Sequence, residues 1–187
     1  MDLRDPVQRE AVERRARPLA RRELEGEQVA EVEQQRAAGA REDALSSARE
    51  LLALNPRDNQ AVRTLTMTWL LEGGRDEDAA AVAKGYPEDM FPETRYGGAL
   101  ALFRLQRREE ADAALREAIS DLPLVTAELL KARHRVPRSE EPGFVTIGGA
   151  DQAYVYWLTD GVLWTRTSGA MDWLRQMRGA VRESHQA

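Results

Sequence analysis

The sequence predicts an all-α fold: a charged N-terminal helix, two or three short helical hairpins, and a Trp-rich helical cap. Three observations predict it. The tripeptides Glu42-Asp43-Ala44, Glu77-Asp78-Ala79 and Glu109-Glu110-Ala111 recur at intervals of 35 and 32 residues. Small and larger apolar residues then follow at helical spacing, and a proline closes the unit: Ala44, Ala48, Leu51 and Pro56 in one copy, Ala111, Leu115, Ala118 and Pro123 in another. Finally, six of the eleven aromatic residues (Phe144, Tyr154, Tyr156, Trp157, Trp164 and Trp173) lie beyond residue 140.

Residues 1–38 read as a charged helical arm with sparse, irregular apolar positions. Pro18 breaks or kinks it near Arg17, because proline removes a backbone donor and clashes with the preceding turn. Seven arginines fall between Arg4 and Arg22, interleaved with Asp2, Asp5, Glu10 and Glu13. Ion pairs one turn apart account for that pattern at about 0.2–0.5 kcal/mol each. The arm has no interleaved aromatics on which bases would stack.

Residues 39–123 hold the repeats. Each acidic tripeptide follows a turn with arginine: Gly39-Ala40-Arg41, Gly73-Gly74-Arg75 and Gln106-Arg107-Arg108. Alanines at the first and fifth positions let a neighbouring helix approach closely, and the proline refuses continuation. The middle copy is cut short, since Pro87 follows Ala79 and Ala83 early. The preceding helix of each hairpin is expected at 59–72 and 94–105. Val62, Leu65 and Trp69 occupy the large positions of the first, whereas Arg95 and Gly98 stand where large residues are usual in the second. Residues 124–187 form the cap. A short helix runs from Leu124 to Lys131, followed by a breaker-rich connection with Pro137, Pro142, Gly143, Gly148 and Gly149. Helix resumes at about Ala150, and after the Thr165–Gly169 turn a last amphipathic helix carries Met171, Trp173, Leu174 and Met177.

The period and the small–small–large–proline pattern resemble a tetratricopeptide repeat. The region 90–175 is also similar to the tail of a group of bacterial tetratricopeptide-containing proteins of uncharacterised function, and to the suppressor-of-tumorigenicity-seven family. The residues that carry this likeness are Leu122-Pro123-Leu124-Val125, Leu129-Leu130, Pro137, Gly143-Phe144, Gly149 to Tyr156, Trp164, and Thr167-Ser168-Gly169-Ala170-Met171-Asp172-Trp173-Leu174. Leu122-Pro123 departs from the Asn-Pro usual there. The resemblance implies a short α-solenoid scaffold and carries no catalytic residues. Some such relatives bear a cysteine-rich zinc appendage, which a chain without cysteine lacks.

Composition narrows the function. A chain of 187 residues buries about 70% of its extended surface as one domain, enough for a core. Without cysteine there is no disulfide, thiolate zinc site, iron–sulfur cluster or cysteine nucleophile. A net charge of −5 argues against general nucleic-acid binding. Neither a secretory apolar stretch nor a membrane-spanning run is present, so a cytoplasmic location is expected. Gly143 to Ala150 has the outline of a phosphate loop but lacks its Lys and Ser/Thr. His134 and His185 have no ligand-spaced His or carboxylate beside them, and Ser168 is not in a Gly-x-Ser-x-Gly elbow. The acidic pairs at the proposed helix starts complement the helix dipole. No cofactor, metal or enzymatic constellation is expected.

What remains is a binding surface. Stacks that resemble tetratricopeptide repeats bind extended peptides along the groove lined by first helices. By register, Gln60, Arg63, Met67 and Leu70 line it from one helix, and Glu93, Tyr96, Leu100 and Phe103 from the next. Arg63 and Met67 stand where a carboxylate clamp needs Lys and Asn, although Arg63 suits an acidic side chain. The expectation is a non-enzymatic scaffold for a protein or peptide partner. Two alternatives are self-association, as a homodimer through the N-terminal helix, and nucleic-acid association through the Arg-rich arm.

Overall fold

The computed structural model describes residues 28–55, 58, 61–137 and 145–184. All secondary structure among these is α-helical. The helices are α1 (28–37), α2 Arg41–Leu54, α3 Val62–Glu72, α4 Asp76–Gly85, α5 Pro92–Arg104, α6 Arg108–Asp121, α7 Pro123–Leu129, α8 Ala150–Arg166 and α9 Ala170–Ser184. The Arg-rich part of the arm, Arg4 to Arg22, lies outside the described residues, as does Pro18.

The internal repeat is a backbone repeat. Gly39, Gly74 and Gln106 all adopt left-handed φ values of 87°, 69° and 61°. At each site the following residue donates its N–H back across the turn, from Ala40 to Gln35, Arg75 to Leu70 and Arg107 to Leu102, at 2.9–3.0 Å. A shorter bond runs from Gly39 to Arg36, Gly74 to Leu71 and Gln106 to Phe103. This is the Schellman arrangement, which satisfies the last carbonyls of one helix before the next begins. The acidic residues stand in the first turns of α2, α4 and α6, where the helix dipole favours them. The far ends also match: Asn55, Tyr86 and Leu122 share φ near −130° and ψ of 61–78°. Each precedes a proline, which disfavours helical backbone in the residue before it. Early Pro87 leaves α4 with 10 residues against 14 in α2 and α6.

The chain divides into two compact units, Met1–Val62 and Arg63–Ala187. In the first, Val32 of α1 and Ala44, Leu45 and Ala48 of α2 are buried. Asp58 then accepts the N–H of Val62 at 2.7 Å, at the start of α3. The second unit holds residues from both 39–123 and 124–187, and aromatic side chains of α8 and α9 pack against α5 and α6 within it.

Helix α5 is the axis of this unit, packing against α4, α6 and α8. Thr94 and every residue from Tyr96 to Ala101 are buried, and a stretch apolar on all sides belongs inside. Gly98, out of pattern for a repeat, has a packing reason. A Cβ there would lie 2.5 Å from the Cβ of Ala83, so α4 and α5 cross at a contact that only glycine permits. Arg95 is explained likewise: it donates to the Pro87 carbonyl at 2.8 Å and pairs with Asp121 of α6. Arg104 braces the opposite end, donating to the Leu71 carbonyl at 2.8 Å, the Thr167 hydroxyl at 2.9 Å and the Leu163 carbonyl at 3.3 Å. One guanidinium thus serves the C-terminal carbonyls of both α3 and α8.

Gly98→Ala is expected to destabilise the protein by about 1–3 kcal/mol through overpacking. Gly85→Ala, whose Cβ meets nothing within 4 Å, is expected to be neutral or stabilising by up to about 1 kcal/mol. Urea denaturation of the two variants checks this. Equal stabilities would contradict the tight crossing.

Candidate functional site

The residues expected to line a peptide groove form the floor of a groove that the chain fills itself. Met67, Leu70, Tyr96 and Leu100 are fully buried, and Phe103 nearly so. They are therefore corrected from contact surface to core. Gln60 lies outside the described residues. Arg63 is engaged by Asp89 through two bonds, at 2.7 and 2.8 Å, and its guanidinium lies over the rings of Phe91 and Tyr86. Burial pushes the Asp89 carboxyl up, but hydrogen bonding and charge from Arg63 outweigh it and hold the group below its ordinary value. The acidic partner suited to Arg63 is thus supplied from within the chain.

The occupant of the groove is α8. Its inward face carries Gln152, Ala153, Tyr156, Asp160, Leu163 and Trp164, all buried. Tyr96 sits 6.0 Å from Tyr156 and 6.2 Å from Trp164, ring centre to ring centre. The Trp164 indole donates to the Tyr156 hydroxyl at 2.9 Å. Tyr96 donates to the Leu122 carbonyl and takes up the Thr126 hydroxyl, both at 2.8 Å, which ties α5 to the α6–α7 junction. Trp173 of α9 continues the cluster, stacking on Phe103 at 4.4 Å and donating to Asp112 at 2.7 Å. Every buried polar end has a partner, as burial of tyrosine and tryptophan requires.

Two carboxylates meet at this contact, Asp160 of α8 and Glu93 of α5. Asp160 accepts from the Thr68 hydroxyl at 2.9 Å and from the Thr159 hydroxyl at 2.7 Å. Burial raises its carboxyl above the ordinary value despite those bonds. Glu93 of α5 is raised to about 7, chiefly by burial, with the charges of Asp160 and Asp89 adding to it. Its own backbone amide and the more distant Arg63 act the other way. Glu93 Oε2 is buried without a hydrogen-bond partner. A small cleft of about 340 Å³ opens beside the two acids, edged by Thr64, Thr68, Trp69 and Glu72. Glu93 belonged to the expected groove, but Asp160 gave no signal, because nothing in its spacing distinguishes a buried aspartate from an exposed one.

His134 stacks on Trp157 with ring centres 3.6 Å apart, and its Nδ1 lies 2.9 Å from Oε1 of Glu128. Glu128, which is buried, also pairs with Lys131. This cluster fastens the end of α7 to α8. The Gly148-Gly149 stretch is a helix start: the Thr146 N–H goes to Asp151 and the Gly148 N–H to Gln152, each at 2.8 Å. Amides that would cradle a phosphate are thereby occupied. Among the described residues, no group of three or more His, Asp or Glu could hold a metal ion, and no helix is long and apolar enough to cross a membrane.

An open groove exists on another side of the unit. It has a volume of about 550 Å³ and runs between α4 and α6 over α5. Ala80, Ala83, Ala99 and Ala114 are among its lining residues, and Glu77, Lys84, Arg107 and Glu117 supply charge. Arg107 pairs with Glu110 at 2.5 Å and reaches Glu77 of α4 at 3.6 Å, so one ion-pair chain bridges this groove. No family model, curated protein or solved structure matches the chain.

The buried Glu93 sets a pH dependence. Between its ordinary value of 4.5 and about 7, the folded protein keeps this proton while the unfolded chain has lost it. Stability therefore falls as pH rises through that window and levels off above it; the raised Asp160 acts in the same direction. Glu93→Gln is expected to flatten the profile and to stabilise the protein by about 1–3 kcal/mol near pH 8. Urea midpoints across the window check it, and an equally steep profile in the variant would contradict it.

Proposed function

We propose that the chain is a non-enzymatic, cytoplasmic protein-interaction scaffold of tetratricopeptide type, and that it engages a peptide or helix of a protein partner in the groove between α4 and α6. The observation that carries this reading is the division of its two grooves. One is packed with the chain's own α8, and the other is open, with alanines from all three helices among its lining residues. Small side chains let a ligand backbone approach closely, and flanking charges give it register. Asp160 is engaged in holding α8 to α3 through the Thr68 hydroxyl.

The test is selection of peptides from a random display library against the intact chain, followed by filling of the groove. Ala81 and Ala113 line it and are exposed, so arginine at either position leaves the fold intact. Ala81→Arg and Ala113→Arg are expected to weaken the selected peptides at least about tenfold, with unchanged thermal melts. Peptides indifferent to both substitutions would contradict the groove.

A further inference from the structure

Helix α8 is apolar on two faces, and the described residues cover only one of them. Opposite the buried face, Val155, Leu158 and Val162 are 40%, 64% and 43% exposed. With Asp151 and Thr165 they fall at alternating spacings of four and three residues, the seam of a helix pair. The Thr165 hydroxyl at the end of the stripe donates back to the Val162 carbonyl at 3.1 Å, and the Thr159 hydroxyl beside the stripe donates to Asp160. Those hydroxyls are satisfied locally and make no demand on water. In a chain with 32% charged residues, the only charge between Asp151 and Arg166 is Asp160, which is buried on the other face. A surface helix of a soluble fold is ordinarily charged on its outer side.

We propose that this face is the docking surface for α8 of a second copy of the chain, in antiparallel orientation. Charge complementarity selects the occupant and its direction. Asp151 stands at the start of the seam and Arg166 at its end, roughly 22 Å apart along the helix. An antiparallel pair sets each Asp151 beside the partner's Arg166 and fills the centre with Leu158 and Val162 from both copies. A parallel pair would instead bring Asp151 to Asp151 and Arg166 to Arg166, like charge on like. The antiparallel arrangement is two-fold symmetric, as most closed dimers are. A helix pair of this length lies at the lower limit of standard interfaces, so the dimer dissociates on the order of tens of micromolar. This surface is separate from the groove between α4 and α6: Leu158→Glu leaves peptide capture there unchanged, and Ala113→Arg leaves the dimer unchanged.

The experiment is analytical ultracentrifugation of the full chain from about 1 to about 500 µM. The wild type is expected to pass from monomer to dimer, and Leu158→Glu to remain a monomer throughout. Arg166→Glu and Asp151→Lys each place like charges at both ends of the pair and weaken it at least about tenfold. Mixed one to one, these two variants have opposite charges at both ends and recover a dimer within a few-fold of wild type. Asp151 also caps the start of α8, so circular dichroism accompanies it; should that variant unfold, Leu158→Glu and Arg166→Glu decide alone. A wild type monomeric throughout would overturn the proposal. So would a dimer indifferent to Leu158→Glu, which would locate pairing elsewhere, the N-terminal helix included. Failure of the folded mixture to recover would overturn the antiparallel geometry.

Discussion

The rest of the Arg63–Ala187 unit depends on the packing of α8 against α5. Three fully buried aromatic rings make that contact, from Tyr96, Tyr156 and Trp164. Large aromatic side chains bury more area than any other residue, and paired rings add about 0.5–1.5 kcal/mol beyond that. Their hydroxyl and indole groups fix the arrangement as well as stabilise it, because each is hydrogen-bonded to specific partners. Tyr96 in particular fastens α5 to the α6–α7 junction while its ring receives α8. Removing its hydroxyl would leave the Leu122 carbonyl and Thr126 without this shared partner, and removing its ring would open the centre of the unit.

This contact explains why the chain needs so few aromatics. The Ala-rich hairpins pack at short range, down to a crossing at Gly98 and Ala83 where no added carbon fits. Their own cores therefore need little bulk. The large groups sit where helices of different parts of the chain meet, on α5, α8 and α9. Two carboxyls raised by burial, those of Glu93 and Asp160, lie within the same interface.

Much of the architecture was legible because local chemistry dictates it. Helix starts at Arg41, Asp76 and Arg108 follow from left-handed turn residues and acidic first turns, and the ends at Asn55, Tyr86 and Leu122 follow from the prolines after them. Ala150 and Ala170 begin α8 and α9 where glycine-containing turns end. The candidate site was less legible. Periodicity shows that Met67, Leu70, Tyr96, Leu100 and Phe103 share apolar faces, but it carries no information about what covers those faces. A peptide groove and a groove filled by the chain's own helix have the same pattern in the lining residues. The distinguishing signal lies in α8, whose length bears apolar residues all round; Ala153, Tyr156 and Trp164 are buried in the core.

With α8 packed on α5, the surfaces proposed for binding lie elsewhere, in the open groove over α5 and on the outer side of α8. Both follow only if α8 is a permanent part of the core. Native-state hydrogen exchange measures that directly, since amides in elements that open only with global unfolding share one free energy of exchange. The amides of Ala153 to Trp164 are expected to exchange with the same free energy as those of Tyr96 to Phe103. Exchange from α8 at a much lower free energy, with α5 still protected, would show that α8 leaves the groove without unfolding the rest and would contradict the account.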